Sequence, residues 1–541
     1  MSSTFRGADL VARVLARAGI SDIYSLSGNH IMPLYDALFE TKARLYHTRH
    51  EAAAVHMADA HARLTAQVGV ALVTGGQGHT NAVAALTTAQ CAEAPVLLLS
   101  GHAPTNELGR GAFQELAQAD LARPVTKASS MSTRADRLGH DIAQAISIAL
   151  SARPGPVHLS LPSDLLEAKL EDHPSLYPSP QDFLRVQDML AVEHARAAWD
   201  IVLAAKRPLL LAGPAMCTPL GRRYLATMGR ALGVPLIGME SPRGINDPSL
   251  GAFAEVLKEA DLIVLLSKPH DFTLRSCEPP FVSAGARFVV FDRDHALTDR
   301  VLREKHGRID FAANVDGATV LAQWEGMIAH ANSGWLREVD AALAYRPEAW
   351  AHATGTDGKI HPAALMRGVQ KLVASHPQSV FISDGGEIGQ WAQACVSAPR
   401  RIINGVAGSI GAALPFALAA RVVERTAPVV TVMGDGTFGF HIAEIETAVR
   451  HALPLVCVIG NDARWNAEHQ IQLRDYGAAR AHGCSLAPTR YDQVAVALGG
   501  HGEVVTSPGQ IEPALGRALA SGKPAVVNVM IDGLPAPVIR R

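Results

Sequence analysis

Short, continuously apolar runs recur along the whole chain, and alanine-rich stretches of helical pattern separate them. The runs include VGVALVT at 68–74, PVLLLS at 95–100, PVHLSL at 156–161, RPLLLAG at 207–213, DLIVLLS at 261–267, RFVVFD at 287–292, SVFISD at 379–384, PVVTVMGD at 428–435, LPLVCVIGND at 453–462 and KPAVVNVMID at 523–532. A strand wet on one face alternates apolar with polar residues. Strands that are apolar throughout are covered on both faces, which is the condition of a parallel sheet between helices. The expected fold class is therefore α/β, with several doubly wound parallel-sheet domains in series.

Two polar zones suggest where the chain divides. EDHPSLYPSPQDF at 171–183 is rich in proline and reads as a linker, and AYRPEAWAHATGTDGK at 344–359 is polar and helix-poor. The resulting expectation is three domains, at 1–175, 185–340 and 358–541, in keeping with roughly 100–200 residues per domain. The 49 basic residues nearly balance the 51 acidic ones, for a net charge of −2. Without a basic stripe or a like-charge block, neither nucleic acid nor an anionic membrane is expected as a partner. No apolar run approaches the ~20 residues that span a bilayer, and the N-terminus lacks the apolar core of a signal peptide. The six cysteines include no CxxC pair, so a reducing, cytoplasmic location is expected.

The strongest local signal lies near the end of the chain. The strand PVVTVM runs into Gly434-Asp435-Gly436, a helical stretch follows, and the next strand, LPLVCVIG, ends at Asn461-Asp462. Two parallel strands joined by a crossover helix bring their C-terminal ends to one edge, where such folds bind ligands. Two carboxylates thus converge with glycines that let a phosphate approach the backbone, a combination suited to Mg²⁺ and a diphosphate. Taken alone, Asp-Gly is an ordinary turn; the ordered set of GDG, helix, strand and acid is more specific.

Here the chain resembles the thiamine-diphosphate-dependent enzymes, in the group of acetolactate synthases, benzaldehyde lyases and 2-hydroxyacyl-CoA lyases, and most of all benzaldehyde lyase-like sequences. The family's pair after the second strand is usually NN, so Asp462 replaces an amide. The resemblance implies a pyrimidine-binding domain at 1–175, a central Rossmann-like domain at 185–340 and a diphosphate-binding domain at 358–541. It also implies thiamine diphosphate and Mg²⁺ as cofactors, with Asp435, Asp462 and the main-chain oxygen of Arg464 on the metal.

A glutamate on the first domain should then activate the cofactor. LYHTRHEAAAVHMADAHARL carries Arg49-His50-Glu51 at the start of a helix, the family's context for that residue. By itself Glu51 would read as a first-turn helix acid, and His47, His50 and His56 lack HExxH spacing. Further family matches are the glycine-rich turn Gly75-Gly76-Gln77-Gly78-His79-Thr80-Asn81 and the Phe113-Gln114 pair near the reacting centre. Asp384-Gly385-Gly386-Glu387-Ile388 matches the loop that holds the diphosphate. Gly408-Ser409-Ile410-Gly411 supplies the prop beneath the cofactor, with Ile410 in place of the commoner methionine. Gly434, Gly436, Thr437, Asp462 and Trp465 complete the expected cofactor contacts.

In the central domain, AGPAM is not a GxGxxG turn. Relatives carry FAD or the ADP part of coenzyme A there, or nothing; Lys268, His270 and Arg275 are the candidates for an ADP-type nucleotide. His30, in SLSGNHIM, stands where benzaldehyde lyase-like chains have a histidine, and could move a proton to or from a substrate hydroxyl. A capping or core histidine is the plainer alternative. Ile471 occupies the place of a substrate-facing tryptophan in plant and yeast-type acetolactate synthases. The resemblance therefore implies a lyase or carboligase acting on 2-hydroxy ketones or 2-hydroxyacyl-CoA thioesters, with Glu51, His30 and Gln114 catalytic and a homodimer or homotetramer as the assembly. The alternatives are an acetolactate synthase-type 2-oxoacid decarboxylase and transferase, or a non-catalytic scaffold of the same fold.

Overall fold

The computed structural model of the chain describes residues 4–355 and 358–541. Residues 1–3 of the expected first domain, and Thr356 and Asp357 within the polar zone at 344–359, lie outside the described residues. The chain divides into two compact units, 1–187 and 188–541.

The first unit is built on a six-stranded, wholly parallel sheet. Its spatial order is Arg44–His47, Asp22–Ser25, Gly69–Val73, Val96–His102, Val157–Pro162 and Ala128–Met131. Numbered along the chain, that order is 2-1-3-4-6-5. Every residue of Val96–His102 and of Gly69–Val73 is buried, which is why these runs are apolar without alternation. A separate two-stranded ribbon pairs Thr4–Arg6 antiparallel with Lys169–Glu171. The stretch at 171–183, expected as a linker, instead packs onto this unit. Leu176 is buried in its core, and Tyr177 and Phe183 lie against the same cluster. Apolar side chains spaced among the prolines draw the segment down.

The second unit holds two parallel sheets. The central one has five strands in the order Leu236–Gly238, Pro208–Ala212, Leu262–Leu266, Arg287–Phe291, Ile309–Ala313. The last has six, in the order Arg400–Ile403, Val380–Ser383, Val429–Gly434, Leu455–Asn461, Pro524–Met530, His501–Val505. Its chain-numbered order is again 2-1-3-4-6-5, so the first and last sheets share one topology. Charged side chains tie the two sheets of this unit together. Arg401, beside the last sheet, donates to Ser249 Oγ at 3.0 Å and to Glu240 Oε1 at 3.3 Å, and Arg346 donates to the Ala394 carbonyl at 2.6 Å. Arg401–Glu240 is a buried ion pair, where loss of one partner strands the other.

Behind the first sheet, His79 and His158 are both fully buried, with ring centroids 4.4 Å apart. His79 Nδ1 meets Ser100 Oγ at 2.9 Å, and His158 meets Ser129 at 2.8 Å and Ser160 at 3.2 Å. Burial pushes His79 down to about 4 and His158 well below the usual imidazole value, the second helped by its neighbour's charge. Both rings are neutral when folded, whereas the unfolded chain takes up protons below about 6.5. Their contribution is therefore intact above pH 6.5 and is lost as pH falls from there toward 4. His79 alone is expected to remove about 2 kcal/mol of stability between pH 7 and pH 5. In urea unfolding at the two pH values, His79→Asn should show a correspondingly smaller acid loss than wild type; an equal loss would contradict the buried, neutral assignment.

Candidate active site

In a 2-1-3 sheet, chain connections diverge between strands 1 and 3, leaving a crevice at their C-terminal ends. In the last sheet that crevice is bounded by Asp384-Gly385-Gly386, after Val380–Ser383, and by Asp435, after Val429–Gly434. The parallel register Gly434↔Gly460 then brings the turn after Leu455–Asn461, with Asp462, beside Asp435. Asn461 is buried and shapes this turn: its Oδ1 accepts from Ala463 N at 3.1 Å, while its amide donates to Thr489 O and Asn528 Oδ1, each at 3.1 Å.

Close backbone approach explains the glycines. A Cβ at Gly436 would lie 2.5 Å from the Trp465 ring, and one at Gly386 would lie 2.8 Å from Ala467 Cβ. Gly385 has φ +98° and would meet Thr437 Oγ1 at 2.9 Å. Trp465 therefore lies against residue 436, and Phe440 stands edge-on to its ring at 6.1 Å.

One cavity is lined by Gly386, Glu387, Ile388, Ile410, Gly434, Asp435, Gly436, Thr437, Asp462, Arg464 and Trp465. Eleven positions chosen from the sequence thus meet in one place, with Gly385 against Thr437. Gly408 and Ser409 do not line it: Gly408 faces Pro242, and the Ser409 carbonyl accepts from Asn404 at 3.0 Å.

A further residue, Asp384, organises the crevice. It is fully buried and accepts backbone N–H groups from Gly411 at 2.9 Å and Ala413 at 3.0 Å, stapling the 384–386 turn to the 408–413 turn. The sequence offered a signal in an acid at a buried strand end, which only a partner could make tolerable. Burial pushes Asp384 up to about 6, against those donors.

Asp435 and Asp462 are the unusual pair. Burial pushes Asp435 up to about 6, against backbone donors that include Arg464 and Ala463; its Oδ2 is buried without a partner. Asp462 is pushed up to about 7, first by burial and then by the charge of Asp435, with Arg464 opposing. Among the described residues no group of three or more His, Cys, Asp and Glu side chains forms a metal cluster.

In the first unit, strand 2 ends at His47, and His50 caps the helix Glu51–Thr65 by accepting from Ala52 N at 3.1 Å. His47 Nε2 meets Ser27 Oγ at 2.9 Å. Glu51 is 7% exposed, and its Oε2 accepts from Asn81 Nδ2 at 3.0 Å. A Cβ at Gly78 would sit 3.4 Å from Glu51 Oε1 and 2.7 Å from Thr74 Cγ2, so the glycine-rich turn lies against the acid. His30 is buried, 3.2 Å from Thr74 Oγ1, and stacks on Phe113 at 5.9 Å and 18°. Burial lowers its pKa, against a hydrogen bond to the Phe113 carbonyl. Gln114 holds φ +56° and donates to Gln77 Oε1 at 3.1 Å. Glu51, His30 and Gln114 therefore border one turn, at 74–78, which Gln118 fixes by accepting from Gly76 N at 2.8 Å. Thr74 and Gln118 carried no distinguishing signal as single letters, and Asn81 was marked only as the end of the glycine-rich turn.

The central sheet's own crevice is closed. A Cβ at Gly213 would lie 2.1 Å from the Ser267 carbonyl. Lys268 is buried on Thr273 Oγ1 at 2.6 Å, and His270 on the Ser276 carbonyl at 2.7 Å and Glu304 at 3.0 Å. Of the three candidates, Arg275 lines a cavity of about 930 Å³ bounded by this domain, Gln390, Arg474 and residues 536–540. Its wall carries Arg243, Lys258, Arg275, Arg474 and Arg540 against a single acid, Glu255, which is itself paired with Arg541 at 2.9 Å. Phe272, 61% exposed, adds an aromatic face.

Residues 5–121 match the thiamine pyrophosphate enzyme N-terminal TPP-binding domain, and residues 384–529 match the C-terminal TPP-binding domain. A probable acetolactate synthase of Mycobacterium bovis is 30% identical over 98% of this chain and 96% of its own length. The chain belongs to the thiamine pyrophosphate enzyme family. Among other members, the 2-hydroxyacyl-CoA lyase 2 of Homo sapiens is 30% identical over 98% of this chain and 90% of its own, and that of Bos taurus is 31% identical over the same shares. The residues present fit a diphosphate bridged by a divalent cation. Glycines at 386, 434 and 436 open the backbone, and the unpartnered Asp435 Oδ2 and the repelling acid pair call for positive charge.

The packing of Trp465 on residue 436 gives a direct check. Gly436→Ala must displace the indole, at a cost of about 1–3 kcal/mol. An unfolding midpoint and tryptophan emission identical to wild type would mean the ring is not held there.

Proposed function

We propose that this thiamine pyrophosphate enzyme is a Mg²⁺-dependent carbon–carbon lyase or carboligase whose preferred substrates are 2-hydroxyacyl-CoA thioesters, with 2-hydroxy ketones as simpler analogues. The supporting observation is the cationic cavity. Five basic side chains, of which Arg474 is paired with Asp475, outnumber the one lining acid and suit a polyanionic carrier, and Phe272 suits an aromatic base. Gln390, on its wall, donates to Glu387 Oε2 at 3.0 Å on the helix that begins at the diphosphate crevice, so the carrier's acyl end would reach toward that crevice.

In this reading Asp435, Asp462 and the Arg464 main-chain oxygen hold Mg²⁺. Gly385, Gly386, Glu387, Ile388, Gly408, Ser409, Ile410, Gly434, Gly436, Thr437 and Trp465 form the bed of the cofactor. When bound, thiamine diphosphate supplies a carbon nucleophile that adds to the carbonyl and holds the electron pair as the carbon–carbon bond breaks. Glu51 holds and exchanges the proton that readies the cofactor. His30, kept neutral by burial, accepts the proton of the substrate hydroxyl as the aldehyde departs, and Gln114 orients the carbonyl by its amide. The same reading takes a cytoplasmic homodimer or homotetramer as the working form.

A second reading is favoured by one observation: the M. bovis relative named a probable acetolactate synthase is covered over 96% of its length. The two separate on substrate. Purified enzyme with thiamine diphosphate and Mg²⁺ is expected to release aldehyde from 2-hydroxyacyl-CoA thioesters and to leave pyruvate unconverted; acetolactate from pyruvate alone, without thioester cleavage, favours the second reading. Arg275→Ala with Arg540→Ala should raise KM for the thioester about 10-fold with little change in kcat, since the pair binds a remote part of the substrate equally in ground and transition states. Cleavage of a small 2-hydroxy ketone should be unaffected. Glu51→Gln should lower turnover of both by about 100-fold or more.

A further inference from the structure

Glu51 has one hydrogen-bonding side-chain partner among the described residues, Asn81, which lies 30 positions along the chain on the helix Gln77–Cys91. A carboxylate only accepts, so the amide must present its NH₂ group, and the donor at 3.0 Å from Oε2 is fixed by chemistry rather than by choice of flip. The donor is rigidly mounted. Thr80 N and Oγ1 both bond the Gly76 carbonyl, at 3.0 and 2.9 Å, and Gln118 accepts from Gly76 N while donating to Gly101 O at 3.0 Å and Ser160 Oγ at 2.9 Å. The helix is thereby pinned at its first turn, one turn before Asn81. On the other side of the acid, the backbone at Gly78 approaches Oε1.

We infer that Asn81 is a positioning residue for the catalytic acid: its amide occupies Oε2 and fixes the carboxylate plane, leaving Oε1 as the oxygen that exchanges a proton with the cofactor. A glutamate has three rotatable side-chain bonds, and at 7% exposure solvent does little to choose among its rotamers. One directed hydrogen bond from a pinned helix selects the orientation, as a supporting partner does for a metal ligand or a catalytic base. The inference rests on the reading of Glu51 as the proton-exchanging group.

The test uses full-length enzyme and compares Asn81→Ala, Asn81→Ser and Asn81→Asp with Glu51→Gln. Three readouts apply: the rate at which the cofactor's C2 proton exchanges with deuterium, the Kd for thiamine diphosphate in the presence of Mg²⁺, and the Glu51 side-chain conformation in cofactor-free crystals. Asn81→Ala is expected to slow exchange about 10- to 100-fold, less than the roughly 100-fold or more that a positioned acid or base contributes in full. Its Kd and Tm should stay near wild type, with Glu51 in more than one rotamer. Asn81→Ser, which keeps a donor, should recover much of the rate, whereas Asn81→Asp, which repels the acid, should be as slow as Glu51→Gln. Wild-type exchange in Asn81→Ala beside a slow Glu51→Gln overturns the positioning role alone. Equal slowing in the Ala, Ser and Asp variants, with a lowered Tm, overturns it in favour of packing. Wild-type exchange in Glu51→Gln overturns the underlying reading instead.

Discussion

Two carboxylates brought to one crevice, one buried and one half-buried, set the terms for the second unit. Asp435 and Asp462 are brought together by the register of adjacent parallel strands, not by any attraction between them. Each is pushed toward the protonated form by burial, and Asp462 further by its neighbour. Such an arrangement persists because the sheet's many buried apolar side chains, at about 1.5–3 kcal/mol each, outweigh it. The sheet therefore stores an electrostatic cost at one edge that a divalent cation would relieve. The pair is also where this chain departs from the family's usual amide, and Arg464, two residues on, acts against the extra negative charge.

The first and last sheets share the strand order 2-1-3-4-6-5, and both put their chemistry at the same topological point. In the last sheet, turns after strands 1 and 3 carry Asp384–Glu387 and Asp435. In the first, they carry Gly28–His30 and Thr74–Gly78, with Thr74 joining the two turns through His30. A polar side chain bridges the crevice in the first sheet, Thr74; in the last, Asp384 instead ties the turn after strand 1 to the 411–413 backbone that follows strand 2.

Much of this was legible in the residues because it depends on local rules. Continuous apolar runs identify parallel strands, and Gly-Asp-Gly followed by helix, strand and acid identifies the cation edge. What was not legible depends on partners far apart in sequence. Asn81 on Glu51, Gln118 on Gly76 and Asp384 on Gly411 are separated by 30, 42 and 27 positions, and no periodicity announces them. The segment at 171–183 misled for a related reason. Its prolines and charges describe the backbone it needs, while Leu176, Tyr177 and Phe183 decide where it goes.

The central sheet shows why topology alone does not make a ligand site. Its order, 2-1-3-4-5, has the same divergence of connections that favours binding, yet the crevice is filled by the protein itself. The Ser267 carbonyl presses on Gly213, Ser267 Oγ accepts from Gly317 N at 2.8 Å, and Lys268 spends its charge on Asp271 and Thr273. Those donors are committed within the protein and are not free for a phosphate. Positive charge is instead displaced to the flank, where Arg275 has φ +50° and Ser276 and Cys277 follow at +49° and +48°. Successive left-handed residues without glycine cost roughly 1–2 kcal/mol each. That strain turns Arg275 toward the cavity shared with residues 536–540. A sheet of 2-1-3-4-5 order thus has a crevice filled by its own chain, and its cationic surface lies where residues 536–540 complete a wall.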